Sequence, residues 1–298
     1  MYDVAVYLSS LPRIADRNRK VEVLRAFAAG AQAAGANVII QDQFKTVPAK
    51  LGVILGWVGD KITGPHIQLR RDAIALQQQT GQKIMSIDGS CFKFADPTSI
   101  FLRYSLDGVY YNTNNYANEN SNIDKWNLVK NRLNLDLQPW RKSGNHILVC
   151  GQRDGGWSMK GVDMPAWTLE TVQQIRQYTD RPIVVRPHPR NPLDPKMFRQ
   201  FANVTMSRNA VLQQDLHNAW ASVFFNSSSC VASVLAGVPV FAADSDCVAW
   251  SVANSRVSQI EQPAMLERDQ WLWDLSSAHW TDEESRAGLI YTKFKKFL

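Results

Sequence analysis

The sequence predicts an α/β chain built as two doubly wound, Rossmann-like halves, and three observations carry that expectation. Short apolar runs alternate with segments of helical periodicity in both halves, the order that right-handed β-α-β crossovers demand. A polar, linker-like stretch, Asn134 to Asn145 with Pro139, Lys142 and Gly144, separates them. Within the second half, Val223 to Ala242 (VFFNSSSCVASVLAGVPVFA) reads alone as strand, turn, helix, strand.

Asp3 to Leu8 (DVAVYL) is the opening strand, followed by a polar loop from Ser9 to Lys20 that carries Arg13, Asp16, Arg17, Arg19 and Lys20. Leu24, Phe27, Ala28 and Ala31 then recur at helical spacing up to Gly35, a C-terminal cap. Ala36 to Ile40 is the second strand and Leu51 to Gly56 the third, with a loop from Trp57 to Pro65. A helix over Pro65 to Thr80 and a strand over Lys83 to Ile87 (KIMSI) complete the pattern. Asp88 to Asn122 breaks the rhythm with aromatics among asparagines and serines, and a helix over Ile123 to Leu133 precedes the linker. The expected division is a first domain over 1–140, a second over 141–280, and a terminal helix over 281–298 that packs back on the first.

The second half repeats the logic. His146 to Cys150 (HILVC) leads into the glycine-rich loop Gly151 to Gly161, then a helix over Trp167 to Tyr178 with Leu169, Val172 and Ile175 inward. Pro182 to Val185 is a buried strand that ends in RPHPR. A short helix and strand over Phe198 to Met206 and a helix over Val211 to Asn218 lead to the 223–242 stretch. A helix over Cys247 to Ala253 and a helical remainder from Pro263 follow, with a capping box at Thr281 and Glu284.

At 298 residues, 45% hydrophobic and 20% charged, the composition is that of an ordinary globular protein with ample core. No apolar run of about 18 residues exists, nor an N-terminal basic and hydrophobic leader, so neither a membrane partner nor export is expected. The expected location is cytoplasmic, the host cytoplasm if a phage encodes the chain. Cys91, Cys150, Cys230 and Cys247 are widely spaced and sit in or beside apolar runs, which points to buried thiols rather than disulfides or structural zinc. The net charge of +6 suits a polyanionic partner.

Several motifs carry chemistry. Ser227, Ser228 and Ser229 after Asn226 can cap the following helix, whose N–H groups would then seat an anion such as phosphate. In RPHPR, two prolines hold Arg186, His188 and Arg190 as an extended ridge, and guanidinium groups grip phosphate oxygens bidentately. The loop GQRDGGWSMKG matches neither phosphate-binding fingerprint, yet it follows the first strand of its domain, where such sheets bind ligands. Arg153, Gly155, Gly156 and Ser158 are therefore ligand candidates. Asp244, Ser245 and Asp246 spell a DxD triplet, read here as a helix cap or a contact to a ligand hydroxyl rather than a metal site. Asp16, Asp60 and Asp88, each in a loop after a strand of the first half, are the candidate acids or bases, with Asp88 directly at the end of KIMSI.

Two doubly wound halves, the basic RPHPR and NSSSCVASVLAGVPVF together resemble the GT-B glycosyltransferases, most closely the capsule-polysaccharide and phage types. The resemblance implies two Rossmann-like domains facing across a cleft and a metal-independent, inverting transferase without a cofactor, its nucleotide-sugar, a UDP-sugar by preference, being a co-substrate. Many of these enzymes carry an acidic residue five positions before the motif glycine to hold the donor ribose; here Ala232 stands there, so ribose recognition must come from elsewhere, with Asp244 and Asp246 as the candidates. Residues 1–90 also resemble the acceptor domain of phage DNA β-glucosyltransferases, which assigns a glycine-bearing loop to Gly56, Trp57, Gly59, Asp60 and Lys61 and the catalytic base to Asp88. The expected acceptor is a hydroxymethylated pyrimidine in double-stranded DNA, gripped by the Ser9 to Lys20 loop and stacked by the Tyr104 to Tyr116 region. The competing readings are a capsule or glycan transferase, a sugar-nucleotide 2-epimerase, and a non-catalytic DNA- or glycan-binding module.

Overall fold

The computed structural model describes residues 1–11, 17–59, 63–111 and 113–298. The chain divides into two compact units, the first holding 1–109, 113–125 and 274–298, the second 110–112 and 126–273. The division thus falls within two helices, Ile123–Leu133 and Asp269–Ser277, rather than in the proline-bearing linker near residue 140. The linker belongs to the second unit for a local reason. The Gln138 and Arg141 N–H groups bond to the Leu235 and Gly237 carbonyls, and Gly237, at φ +70, leaves no room for a Cβ, which would lie 2.0 Å from the Pro139 oxygen.

In the first unit β1 (Tyr2–Tyr7), β2 (Val38–Gln41), β3 (Ala49–Leu55) and β4 (Lys83–Gly89) pair in parallel, and β5 (Leu102–Leu106) joins β4 antiparallel. Alternation along β1 sends Val4 and Val6 to one face and Ala5 and Tyr7 to the other. Helix α1 (Arg17–Ala33) covers the first face through Leu24 and Phe27. Helix α2 (Pro65–Gln79) covers the second through Leu69, Ala73 and Ile74. Burial on both faces is what makes these strands short, nearly unbroken apolar runs.

Helix α3 (Ile123–Leu133) leads to the second unit, where β6 (His146–Cys150), β7 (Ile183–Arg186), β8 (Val204–Met206), β9 (Ala219–Phe224) and β10 (Val240–Ala242) form an all-parallel sheet in the order β10-β9-β6-β7-β8. Helix α4 (Met164–Arg176) packs Val172 and Ile175 onto Ile147, Val149 and Val185. Helices α5 (Leu212–Leu216) and α6 (Cys230–Leu235) are short.

After α7 (Asp269–Ser277) the chain adds β11 (His279–Trp280) to the first sheet, antiparallel to β5. Helices α8 (Asp282–Arg286) and α9 (Leu289–Phe294) then join the α1 face, with Ile290 and Phe294 in the same core as Phe27. The capping box is formed by Thr281 and Glu284 as expected. The expected helix over Cys247 to Ala253 is instead a single 3₁₀ turn, Trp250–Val252: Cys247, Val248 and Ala249 are all buried, which leaves no outward face for a surface helix. The four cysteines are buried and none is in a disulfide, with the Cys230 and Cys247 sulfurs 3.6 Å apart.

Candidate functional site

In the second unit β6 lies between β7 and β9, with Cys150 level with both Arg186 and Phe224. The loops that follow these three strands therefore emerge side by side at the carboxyl edge, where open α/β sheets hold ligands. The Gly151 N–H bonds to the Arg186 carbonyl at 2.9 Å, and the Asp154 N–H to Asn191 Oδ1 at 3.1 Å, which fastens the glycine-rich loop to the RPHPR segment.

The ridge divides its labour. The Arg186 side chain turns inward and donates to Asp215, to the Asn209 carbonyl at 3.0 Å and to the Ala210 carbonyl at 3.1 Å. The Asp215 side chain is 1% exposed and also accepts from the Ser207 hydroxyl and from Asn209 Nδ2. Outward, the ridge offers half-buried His188, whose Nδ1 accepts from the Arg190 N–H at 3.1 Å, and exposed Arg190. Burial, then the charges of Arg190 and Arg153, push the His188 imidazole below its ordinary pKa. Two guanidinium groups from different loops thus bear on one imidazole, the electrostatic profile of an anion seat.

Beside this cluster, Asn226 joins three loops. Its side chain accepts from Gln152 Nε2 at 2.8 Å and donates to the Ser158 carbonyl and to Asp244 Oδ2, both at 2.7 Å. Lys160 lies 2.9 Å from Asp244 and 2.5 Å from Asp246, with its ammonium 5.0 Å from the Tyr110 ring centre. Burial pulls the Lys160 pKa down, but hydrogen bonds to Asp246 and Asp244 outweigh it and leave it raised. The DxD carboxylates are therefore held by an ammonium of the chain itself. Gly155, exposed at φ +68, and Gly156 line the outer turn of the loop.

The serine turn departs from its expected capping role. Ser229 is the N-cap of α6 and makes no side-chain cap bond; Ser227 Oγ instead accepts from the Ser229 N–H at 3.3 Å. The Cys230, Val231 and Ala232 N–H groups turn back to the Ser227, Ser228 and Ser229 carbonyls, so backbone bonds do what hydroxyls were expected to do. Ala232 is buried.

In the first unit Asp88 stands near the end of β4 opposite Arg103 of β5. Arg103 donates to Asp88 Oδ2 at 2.8 Å and to the Gly89 carbonyl at 2.9 Å, while Asp88 Oδ1 accepts from the Gly89 N–H at 2.8 Å. Both carboxylate oxygens are thereby oriented. Asp88 borders a cavity of about 350 Å³ whose wall includes Gly56, Arg19, Lys20 and Arg70. Asp16, Asp60 and Lys61 lie outside the described residues. Tyr104 and Tyr116, expected to stack a base, are instead core residues, 0% and 2% exposed.

Sequence reasoning passed over Gln152, Lys160, Asp215, Arg70 and Arg103. A signal existed for Arg70, three residues after buried Ile67 and three before buried Ala73, hence a charge on the inward stripe of α2. Arg103 likewise interrupts LRYSL, a strand buried at every position. Asp215 and Lys160 reach partners 29 and 84 residues away, which no local pattern announces.

No protein-family model matches the chain, and no curated protein matches its sequence. Among solved structures the chain is similar to the β-Kdo 2,7 transferase of KpsC from Thermosulfurimonas dismutans, at 14% identity over 98% of this chain and 99% of that one, with a TM-score of 0.57. It is also similar to the β-Kdo 2,4 transferase of KpsC from the same organism, at 12% identity over 92% of this chain and 90% of that one, with a TM-score of 0.60. At these identities the likeness shows the fold, the Rossmann-like α/β fold of GT-B type.

Proposed function

We propose that the chain is a glycosyltransferase that moves a sugar from a nucleotide-sugar to a hydroxyl of a glycan. The observation that carries this reading is the joining of the 151–161 loop, which bears Arg153, to the ridge of His188 and Arg190 and to the Asn226 network at one sheet edge of the second unit. Guanidinium groups carried on loops at this edge can stabilise the charge that grows on a departing phosphate. The fold shared over nearly the full length with two Kdo transferases agrees with it.

The donor half belongs to the second unit, where Asn226 and Gly155–Gly156 shape the seat and Ser228 lies on the adjoining turn. Lys160 already pairs with both Asp244 and Asp246, so a cation of the chain itself occupies the triplet, which supports a metal-independent reaction. The acceptor half belongs to the first unit. Asp88, oriented by Arg103 and Gly89, accepts the proton of the attacking hydroxyl, and direct attack inverts the anomeric centre. A glycan is preferred to a hydroxymethylated pyrimidine on the ground that Tyr104 and Tyr116 are core residues, while half-buried Tyr110 lies against Lys160 and Trp157.

The test is incubation with UDP-, GDP- and CMP-sugars and a panel of glycan and modified-DNA acceptors, with products read by mass spectrometry. Asp88→Asn should bind nucleotide as the parent does and lose about a hundredfold or more in transfer, the usual scale of a general base. Full transfer by Asp88→Asn, or nucleotide affinity indifferent to Arg190→Ala and His188→Ala together, would overturn the proposal.

A further inference from the structure

We infer that the cavity beside Asp88 receives an acidic group of the acceptor, a carboxylate or a phosphate, with Arg70 as its counter-ion. This rests on the transferase reading only for the word acceptor; the anion seat itself rests on the first unit alone.

Arg70 is 8% exposed and borders the cavity of about 350 Å³, within the size range of small-ligand sites. Its Nε donates to the Ser10 carbonyl at 2.9 Å and its Nη1 to the Trp57 carbonyl at 3.0 Å. Both partners are neutral. Among the described residues no carboxylate lies within ion-pairing distance of it, whereas buried Arg103 holds an aspartate. Buried Arg268 is also held by carbonyls, those of Val234 and Gln138, but it lies against the Trp140 ring rather than on the cavity wall. A buried cation without a paired carboxylate is costly, and burial draws the Arg70 pKa down to about 10, the charge of Asp88 acting against it. Among the described residues Asp88 is the one acid on the wall, and it is already committed to Arg103 and the Gly89 N–H.

The rest of the wall points the same way. Arg19, tied to Asp282 at 2.6 Å, and Lys20 are also on it. Gly56, at φ +80, keeps the guanidinium uncovered, since a Cβ there would sit 3.1 Å from Arg70 Nη1. A neutral acceptor would seal Arg70 away from water with its charge unanswered. An acidic one completes the pair through the N–H groups that the two carbonyls leave over.

The experiment is calorimetric titration of the full chain with glucuronate, glucose and inorganic phosphate, with nucleotide binding measured on the same samples. Glucuronate should bind at least about tenfold more tightly than glucose, and phosphate should compete with it. The preference should disappear in Arg70→Met and shrink in Lys20→Met, each checked for a native thermal transition. Equal affinity for the two sugars, or a preference that survives in folded Arg70→Met and in Lys20→Met, overturns the inference. Phosphate binding without competition against glucuronate also overturns it, because the two anions would then occupy separate sites and share no anion seat. If nucleotide binding is absent while the acid preference stands, the transferase reading fails and the anion seat does not.

Discussion

Arg186, chosen for chemistry, is held for structure by its partner Asp215. The Asp215 carboxylate is almost wholly enclosed among Arg186, Ser207 and Asn209, so removal of Arg186 leaves a buried charge unpaired. Arg186→Ala should therefore lower unfolding free energy by about 3 kcal/mol in urea denaturation, with Arg186→Met/Asp215→Leu restoring most of it. A stability near that of the parent would show that the ridge tolerates the loss. His188 yields a prediction of different kind. Burial and two arginines keep its pKa below the ordinary value in the free chain, and a bound phosphate should raise it. Nucleotide binding then takes up a proton, so affinity should be flat well above pH 6.5, rise as pH falls through the ordinary imidazole range, and level off below the depressed free value. His188→Gln should flatten that profile in calorimetry across buffers of different ionisation enthalpy. At this scale the sequence disclosed cations by their spacing after a strand, as at His188 and Arg190. It was silent on which of them a distant carboxylate had claimed.

Among the elements, α1 and its terminal neighbours depend on one glycine. Gly30 lies in the middle of α1, where alanine would gain about 1 kcal/mol in helix propensity. A Cβ there would sit 1.8 Å from the Ser285 carbonyl oxygen and 2.9 Å from the Gly288 nitrogen, both backbone atoms that cannot swing aside. The clash outweighs the propensity. Gly30→Ala should lower stability by a net amount of about 2 kcal/mol and make the 274–298 segment more open to proteolysis, measured by thermal melts and limited digestion. Unchanged protection of that segment would refute the close-approach argument. The elements most legible in sequence were β1 to β4 and β6, whose apolar runs are bounded by turn residues. Strand β5 was missed because LRYSL is buried at all five positions and shows no alternation. Two-residue β11 has no periodicity to read, and only the Thr281 and Glu284 capping box marked the helix after it.

Over the whole molecule, two α/β halves were legible because each repeats the same strand and helix order, while the path between them was not. The first unit is discontinuous, closing with 274–298, yet nearly all of the second lies in one uninterrupted run from Trp126 to Trp273. All the donor-side groups, Arg153, Lys160, His188, Arg190, Asn226 and Asp244, fall in that run. A fragment over 123–277, which keeps α3 and α7 whole, should fold and bind the nucleotide that the full chain prefers, within about tenfold of its affinity. It forfeits the Tyr110 ring over Lys160 and the Tyr110 hydroxyl bond to the Trp157 carbonyl, which accounts for part of that loss. It should show no transfer, since Asp88 and its cavity are left behind. The measurements are calorimetry and mass spectrometry on the fragment beside the full chain. A folded fragment that fails to bind nucleotide at all would place the donor chemistry elsewhere and remove the support that the loops of β6, β7 and β9 give to the transferase reading.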